Sequence, residues 1–314
     1  MTRAPHVLAV GGAHVDRRGQ VTGAYVPAAS NPGTMREDVG GGAFNALRTA
    51  VRRGVTASLL SLRGGDTAGE TVARAVQEAG IADLSAVFLD RSTPSYTAIL
   101  DASGDLVVGF ADMALYDLAF AKQVRRSGLR EAAAAADAVL TDANLPEAAL
   151  DRLATLAAGK PVFAIAISPA KAVRLKPVLG RLALAFLNRR EVKALTGLNA
   201  DAPAGAVLSA LRGLGLQGGV VTGGESPVLG FDADGAFTVE PPAPRRIADV
   251  TGAGDALAGA TMAAALAGLT LAQAIREGLA AALLAIESAK AVPDFTAEAF
   301  DAALALVPEP RQMA

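Results

Sequence analysis

Short apolar segments recur along the first two thirds of the chain, and stretches with the helical spacing of apolar residues separate them. The segments that indicate strands are Val7–Val10, Ala57–Leu62, Ala138–Thr141, Val162–Ile167, Ala183–Leu187 and Gly219–Thr222. Helices are expected at Ala43–Arg53, between an N-cap at Asp66 and Ala79, from Pro146 and from Arg189. Strands that alternate with helices connect through right-handed crossovers, so the sequence predicts one α/β domain over residues 1–314, built on a mostly parallel sheet.

Two stretches break this alternation. Gly19–Val26 and Tyr96–Ala111 have the pattern of strands with no helix between neighbours. Within the second, a turn at Ala102–Asp105 joins the strands Tyr96–Leu100 and Leu106–Phe110. We expect a small antiparallel sheet beside the main one. It is either an extension of the edge of the main sheet or a lid over a ligand, and the motifs below favour the lid.

Composition excludes several classes of function. The 314 residues carry 29 basic and 31 acidic side chains, a formal net charge of -2, whereas a nucleic-acid-binding protein shows an excess of positive charge. The chain has no cysteine, which excludes disulfides, cysteine zinc sites and thiol nucleophiles. Its two histidines, His6 and His14, lack the spacing of a zinc-binding helix. Catalysis would therefore rest on carboxylates, backbone amides or metals.

The stretch Ala256–Ile275 carries no charge, as a membrane-spanning segment would. Its Ala- and Gly-rich composition and the break at Gly268–Thr270 instead favour two buried helices of a globular domain. The apolar run Val7–Val10 is too short for a signal peptide. We therefore expect a cytoplasmic protein without membrane association.

The most informative motif is Asp249–Asp255, which precedes the helical pattern of Ala256–Ala267. Small residues at 252–254 let backbone N–H groups approach an anion, and the start of a helix adds free N–H groups and a favourable dipole. Asp255 lies in the first turn, where the same dipole should keep it ionised at neutral pH. An anion-binding turn beside a carboxylate base suits phosphoryl transfer to a hydroxyl group. The alternative is an ordinary N-capped helix.

This motif resembles the C-terminal signature of the ribokinase-like PfkB family of carbohydrate and nucleoside kinases. Three further family motifs are matched in the family's order, at Gly11–Asp16, Gly40–Asn45 and Asn188–Glu191. The resemblance implies a ribokinase-like three-layer fold, in which a central, mostly parallel sheet is flanked by helices and carries a small β-sheet lid. It puts the lid strands at about residues 17–35 and 93–112.

The resemblance also implies roles for individual residues. Phosphoryl transfer would use Asp255 as the base and Gly252, Ala253 and Gly254 as the anion-binding turn. The acceptor would be bound by Asp16, Gly40, Gly41 and Asn45. ATP would contact Thr222, Gly223 and Asn188, with Mg²⁺ held through water by Glu191. Asp249 and Thr251 would lie at a site for a monovalent cation such as K⁺. Without the resemblance, Asp16 would equally suit a turn cap, Gly40–Gly42 a flexible loop, and Asn188 with Glu191 a solvated helix face.

The nucleotide loop departs from the family pattern. Val221–Ser226 occupies its place, but Thr222 is displaced and Ser226 stands where glycine is expected. A second glycine pattern, at 213, 215 and 218, has the spacing of a dinucleotide fingerprint but precedes a predicted strand instead of following one, so we reject it.

Within the family, the sequence is most similar to the members that phosphorylate pseudouridine. The similarity lies in Gly11–Asp16, Asp112–Met113, Thr141–Pro146 and Ile286–Ser288. It implies that Asp112 accepts N–H bonds from a uracil ring and that Asn144 reaches the sugar. Gly42 replaces a lysine found in some sugar kinases, which leaves room for a base.

The resemblance therefore implies ATP-dependent phosphorylation of a nucleoside 5′-hydroxyl. Other acceptors of the family remain open, namely inosine or adenosine, ribose and fructose, as does a catalytically silent sugar-binding protein on the same fold. The exposed strand edges of the lid predict a homodimer formed through it.

Overall fold

The computed structural model describes residues 3–290 and 292–313, in which strands and helices alternate. The strands are β1 (His6–Val10), β2 (His14–Val21), β3 (Gly33–Gly40), β4 (Thr56–Leu60), β5 (Leu62–Gly64), β6 (Ala82–Asp83), β7 (Ala86–Phe88), β8 (Ser95–Leu100), β9 (Leu106–Asp112), β10 (Ala138–Asp142), β11 (Val162–Ile165), β12 (Leu184–Asn188), β13 (Gly219–Gly223), β14 (Ser226–Phe231), β15 (Ala236–Val239) and β16 (Arg311–Gln312).

The helices cover both faces of the main sheet. They are α1 (Gly42–Arg52), α2 (Thr67–Glu78), α3 (Ala114–Gln123), α4 (Ser127–Ala135), α5 (Glu147–Leu156), α6 (Pro169–Ala172), a 3₁₀ helix (Val173–Arg181), α7 (Arg189–Thr196), α8 (Ala204–Gly213), α9 (Ala253–Leu266), α10 (Leu271–Ile286) and α11 (Ala297–Ala305).

In the described part of the chain the main sheet has ten strands, in the order β16-β15-β14-β13-β12-β11-β10-β1-β4-β6. From β13 to β6 all neighbours are parallel, whereas β14, β15 and β16 add an antiparallel edge. The predicted mostly parallel sheet is confirmed. Because the carboxyl ends of parallel strands lie at one edge of the sheet, the loops that follow them are brought together there.

Strand β1 shows how the sequence produces three layers. Val7 and Ala9 join the apolar core on the side of α1, α9 and α10, while Leu8 and Val10 join the core on the side of α3, α5 and α8. All four side chains are fully buried. Successive side chains of a strand point to opposite faces, so a continuous apolar run is what a strand covered on both sides needs.

The uncharged stretch Ala256–Ile275 lies in two helices, α9 and α10, as predicted. The chain turns between α9 and α10 at Gly268, whose φ of 90° lies in the left-handed region. A Cβ on Gly259 would lie 2.1 Å from the carbonyl oxygen of Ala46, so α9 packs directly on the backbone of α1. Within the described residues, no helix is long and apolar enough to cross a membrane.

A second sheet stands apart from the main one, with the order β3-β2-β8-β9. We call it the small sheet. It is not an extension of the main sheet, and the prediction that it is antiparallel is wrong for β2 and β8, which are parallel. The predicted strands Tyr96–Leu100 and Leu106–Phe110 are confirmed as β8 and β9.

The first strand region of the small sheet differs from the prediction. A strand was expected at Gly19–Val26, but β2 begins earlier, at His14, and ends at Val21. Strand β3 was not predicted, because Gly33–Gly40 is polar and most of it is exposed. Its backbone is held by antiparallel pairing with β2 along its whole length, a contact between strands that has no counterpart in local apolar periodicity.

Candidate active site

The N-terminus of α9 is open toward the carboxyl ends of the main-sheet strands. Gly252 is its N-cap, with a left-handed φ of 81°, and in the described part of the chain no side chain caps it. Gly254 and Asp255 follow in the first turn, where N–H groups have no partner within the helix. Among the described residues, the N–H groups of Gly254 and Asp255 are therefore available to an anion, and the anion-binding role of the turn stays a prediction.

Asp255 is tied to the start of a second helix. Asn45, in the first turns of α1, donates from Nδ2 to Asp255 Oδ2 over 2.9 Å. The Asn45 Oδ1 atom in turn accepts a hydrogen bond from Arg48, whose guanidinium lies 4.5 Å from the centre of the Phe44 ring. A Cβ on Gly42 would lie 3.5 Å from Asp255 Oδ1, so the two helix N-termini face each other across the carboxylate.

The surroundings of Asp255 shift its pKa toward neutral. Desolvation by burial, followed by repulsion from the nearby carboxylates Asp142 and Asp16, raises the pKa of Asp255 to about 7, although the Asn45 hydrogen bond acts to lower it. A pKa near 7 leaves this carboxyl group partly ionised at neutral pH, less than the helix dipole alone would give. A base with a pKa near the working pH is well matched to proton transfer.

Asp16 lies in the small sheet, two residues after the start of β2. His14 Nε2 is 3.3 Å from Asp16 Oδ1. On the neighbouring strand, a Cβ on Gly40 would lie only 2.0 Å from Asp16 Oδ2. Glycine at position 40 therefore leaves the space that this carboxylate occupies.

The fully buried Asp142, at the carboxyl end of β10, was not predicted as a site residue. Its Oδ2 accepts from the backbone N–H groups of Gly12 at 2.9 Å and Ala43 at 3.1 Å, and its Oδ1 accepts from that of Asn144 at 3.0 Å. One carboxylate thus joins the glycine turn after β1, the start of α1 and the loop after β10. An aspartate at the end of a buried strand is the sequence signal that marks it.

Asn144 lies beside this centre and is buried. Its Nδ2 is without a hydrogen-bond partner among the described residues, while its Oδ1 accepts from Lys171. Partial burial lowers the pKa of Lys171. An unpaired buried amide costs free energy unless a ligand satisfies it, so this group is a candidate contact for the acceptor.

Asp112 does not join the other candidate residues. It is exposed at the end of β9, where it pairs in register with Ser95. Asp16 shares its register position instead with Tyr96, the next residue of β8. Since paired residues of neighbouring strands point to one face and successive residues alternate, Asp112 and Asp16 lie on opposite faces of the small sheet.

Asn188 and Glu191 form the N-terminal capping box of α7. Asn188 Oδ1 accepts from the N–H of Glu191 at 3.0 Å, and Glu191 Oε2 accepts from the N–H of Asn188 at 2.7 Å. Desolvation raises the pKa of the buried Glu191 to about 7, with the Asn188 N–H acting against this. These two side chains are therefore bonded to each other's backbone and are not a solvated face.

Two adjoining cavities begin at the N-terminus of α9. One, of about 170 Å³, is lined by polar groups that include Asn188, Glu191 and Asp255. The other, of about 140 Å³, is mainly apolar and is lined by Val228, Pro241, Pro242, Leu279, Leu283 and Ile286, among others. Thr222, Gly254 and Leu257 line both. Gly223, at the end of β13, lies beside the irregularity between β13 and β14.

The segment before the anion-binding turn is held by the small sheet. Arg18, on β2, donates to Asp249 Oδ2 and, over 2.7 Å, to Thr251 Oγ1. The other oxygen of Asp249 accepts from the N–H of Thr251 at 2.9 Å. Partial burial alone would raise the pKa of Asp249, but these hydrogen bonds outweigh it and lower the value. No sequence motif pointed to Arg18.

Ile167 was predicted inside a strand and instead follows its end. Its φ of 69° lies in the left-handed region, which a β-branched residue rarely adopts. It lines the polar cavity, and its Cδ1 would lie 2.2 Å from a Cβ on Gly42. The strained residue thus fills the space beside the start of α1.

The model of the pfkB family of carbohydrate kinases matches residues 4–297. The chain belongs to this family. It is therefore a phosphotransferase that acts on a hydroxyl group, and its fold is ribokinase-like, as the sequence implied.

Individual relatives of this kinase are known. A carbohydrate kinase from Agrobacterium tumefaciens of known structure is 45% identical, with 98% of this chain and 100% of that chain covered, and a TM-score of 0.87. Pseudouridine kinase from Escherichia coli is 27% identical over 279 residues, 88% of either chain. The structure of Arabidopsis thaliana ribokinase with ribose and ATP is 19% identical, with a TM-score of 0.84 over 96% of this chain and 99% of that one, a likeness that concerns the fold alone.

The raised pKa of Asp255 predicts the pH dependence of the kinase. A base acts only when ionised, so kcat/KM for the acceptor should rise with pH through an apparent pKa near 7. Asn45→Leu removes a donor that favours the ionised carboxylate, and it should shift this rise to higher pH. The measurement is the pH–rate profile of both proteins.

Thr49→Val is the matched control, since Thr49 lies on the same helix and donates only to the Asn45 carbonyl, at 3.3 Å. It should leave the profile in place. A rise at the ordinary pH range of aspartate, or one that Asn45→Leu does not move, would contradict the assignment.

Proposed function

We propose that this kinase transfers the γ-phosphoryl group of ATP to the 5′-hydroxyl of a nucleoside, with pseudouridine as the preferred acceptor. The observation that carries the proposal is the position of Asp255 on the wall of a polar cavity, at an open helix N-terminus and beside Asn45. The subgroup motifs in the sequence and the similarity to pseudouridine kinase of Escherichia coli support the choice of acceptor.

The two cavities suit the two parts of a nucleotide. The apolar cavity between Pro241, Pro242, Leu279 and Leu283 fits a base, and the polar cavity fits phosphates. Thr222 and Gly254 lie where the two meet. Thr222, and Gly223 next to it in the chain, would contact the nucleotide despite the unusual loop sequence.

Mg²⁺ would accompany the nucleotide. The described residues contain no cluster of three His, Asp or Glu side chains that could hold a metal alone, and Mg²⁺ commonly keeps its waters and binds through one or two carboxylates together with phosphates. Glu191, on the wall of the polar cavity, fits that role, with Asn188 beside it. When bound, the ion neutralises charge on the phosphate oxygens.

Asp255 takes the proton of the attacking hydroxyl. The acceptor oxygen forms a bond to the γ-phosphorus while the bond from that phosphorus to the bridging oxygen breaks, and ADP leaves. The N–H groups of Gly252 and Gly254 stabilise the negative charge on the group being transferred, whereas that of Ala253 donates to the Val250 carbonyl at 3.4 Å. The proton held by Asp255 then passes to solvent.

The acceptor would lie between the small sheet and the main-sheet strand ends. Asp16 accepts from the sugar hydroxyls, next to Gly40 and Gly41, and the unpaired Nδ2 of Asn144 is a donor for the sugar or base. Asp112 remains a proposed base contact only if the end of β9 turns inward on binding. In this proposal the small sheet acts as the lid predicted at about residues 17–35 and 93–112 of a single domain, and it excludes water from the site.

The outer face of the small sheet supports a homodimer. Met35, Val108 and Phe110 are each more than half exposed on β3 and β9, on the face opposite to Asp16. A second copy of this sheet would cover them and pair the strand edges. A cytoplasmic location, where ATP is supplied, completes the proposal.

Gly254→Ala tests the phosphate site. Nothing lies within 4 Å of a Cβ at this position, so the protein should fold with unchanged stability. The methyl group would occupy the space proposed for phosphate, and kcat/KM for ATP should fall about tenfold or more, as expected when an oxyanion site is disturbed.

Gly128→Ala is the matched control. Gly128 is also the second residue of a helix, α4, and its Cβ would also meet nothing within 4 Å. Its variant should keep wild-type kinetics. If kcat and KM for ATP are unchanged in Gly254→Ala, phosphate does not bind at this turn and the assignment is wrong.

A panel of acceptors tests the substrate. We expect ADP formation with pseudouridine at a higher kcat/KM than with uridine, inosine, adenosine, ribose or fructose, because the subgroup motifs and the similarity to pseudouridine kinase favour it. The room for a base predicted at Gly42 does not support this choice, since Ile167 fills that space. A preference for a free sugar would overturn the nucleoside assignment. No turnover with any acceptor would instead favour a catalytically silent sugar-binding protein.

A further inference from the structure

The family resemblance implies a monovalent cation at Asp249 and Thr251, but the side chains there are already engaged. Both oxygens of Asp249 accept hydrogen bonds, one from the Thr251 N–H and one from the Arg18 guanidinium. The Thr251 hydroxyl also accepts from Arg18. An alkali ion would have to displace the guanidinium from the carboxylate, so K⁺ does not fit this arrangement.

Arg18 is suited to replace such an ion. A guanidinium is permanently charged and presents several N–H donors in a fixed plane, so it can bind a carboxylate and a hydroxyl together. Its side chain is 35% exposed and that of Asp249 only 16%, so the pair is partly shielded from water and salt.

The charge comes from a different sheet. Arg18 lies on β2, and its register partner on β3 is Arg36, a like charge with which it cannot pair. Its acceptors, Asp249 and Thr251, lie 231 and 233 residues away in sequence, directly before the anion-binding turn. The contact therefore connects the proposed lid to the segment that leads into the transfer site.

We propose that Arg18 takes the place of a monovalent cation, so that the small sheet itself supplies the positive charge that orders the segment before the anion-binding turn. The inference rests on the proposed phosphoryl transfer. It makes the kinase independent of added K⁺, and it makes the order of the 249–251 segment depend on the small sheet lying against the main domain. Arg18 is a positioning residue here.

The experiment compares wild type with Arg18→Ala and with the control Arg17→Ala. Arg17 is the adjacent residue on the opposite face, and its Nε donates to Glu37 Oε2 at 2.9 Å within the small sheet. ADP formation is measured at equal ionic strength in choline chloride and in KCl. Wild type and Arg17→Ala should change less than about twofold between the two salts, because the fixed guanidinium makes added ions redundant.

Arg18→Ala should lose about tenfold or more of its kcat in choline chloride, the range for removing a charge-assisted hydrogen bond. KCl or methylguanidinium should restore much of it. Arg18→Lys retains the charge and should stay insensitive to K⁺. A wild type that requires K⁺, an Arg18→Ala enzyme with full activity in choline chloride, or a loss that no cation restores would each overturn the proposal.

Thermal unfolding separates this proposal from the proposed function. Without any acceptor, KCl in place of choline chloride should raise the midpoint of Arg18→Ala and leave those of wild type and Arg17→Ala unchanged. The change in the unfolding midpoint does not depend on which acceptor the enzyme uses. A K⁺-dependent rise in wild type would contradict the replacement of the ion by Arg18.

Discussion

A hydrogen bond between Asn45 and Asp255 connects the first turns of two helices that lie 210 residues apart in sequence. Because Gly259 lets α9 pack directly on the backbone of α1, Asn45 and Asp255 come within hydrogen-bond distance. It orients the proposed base toward the polar cavity and counteracts the desolvation that raises its pKa. The anion-binding turn, the acceptor side and the protonation state of Asp255 all depend on this junction.

Two carboxylates and one guanidinium from other parts of the fold lie around this pair of helix N-termini. Asp142 fixes the glycine turn after β1 and the start of α1 through backbone N–H groups. The small sheet contributes Asp16 on the acceptor side and Arg18 on the side of the anion-binding turn, two residues apart on β2. One strand thus reaches both ends of the proposed transfer path, which is why movement of that sheet would affect binding and catalysis together.

The sequence predicted those strands and helices whose buried residues follow a local pattern of apolar spacing. Strand β1, which is covered on both faces, is a continuous apolar run. The break between α9 and α10 could be predicted because Gly268 readily adopts the left-handed conformation that ends a helix. Strand β3 was missed because it is polar and depends on pairing with β2. Asp142, Arg48 and Arg18 were missed because their roles arise from contacts between distant segments. The raised pKa of Asp255 has the same origin, since neighbouring carboxylates and burial act on it only in the folded chain.

The most direct test of the account is Asp255→Asn, which keeps the shape of the side chain and removes its charge. The variant should fold and should bind ATP and nucleoside with near-normal affinity by calorimetry, while its kcat falls about 10²-fold or more, the contribution expected of a general base. A kcat close to that of wild type would contradict the role of Asp255 and with it the mechanism proposed for this kinase.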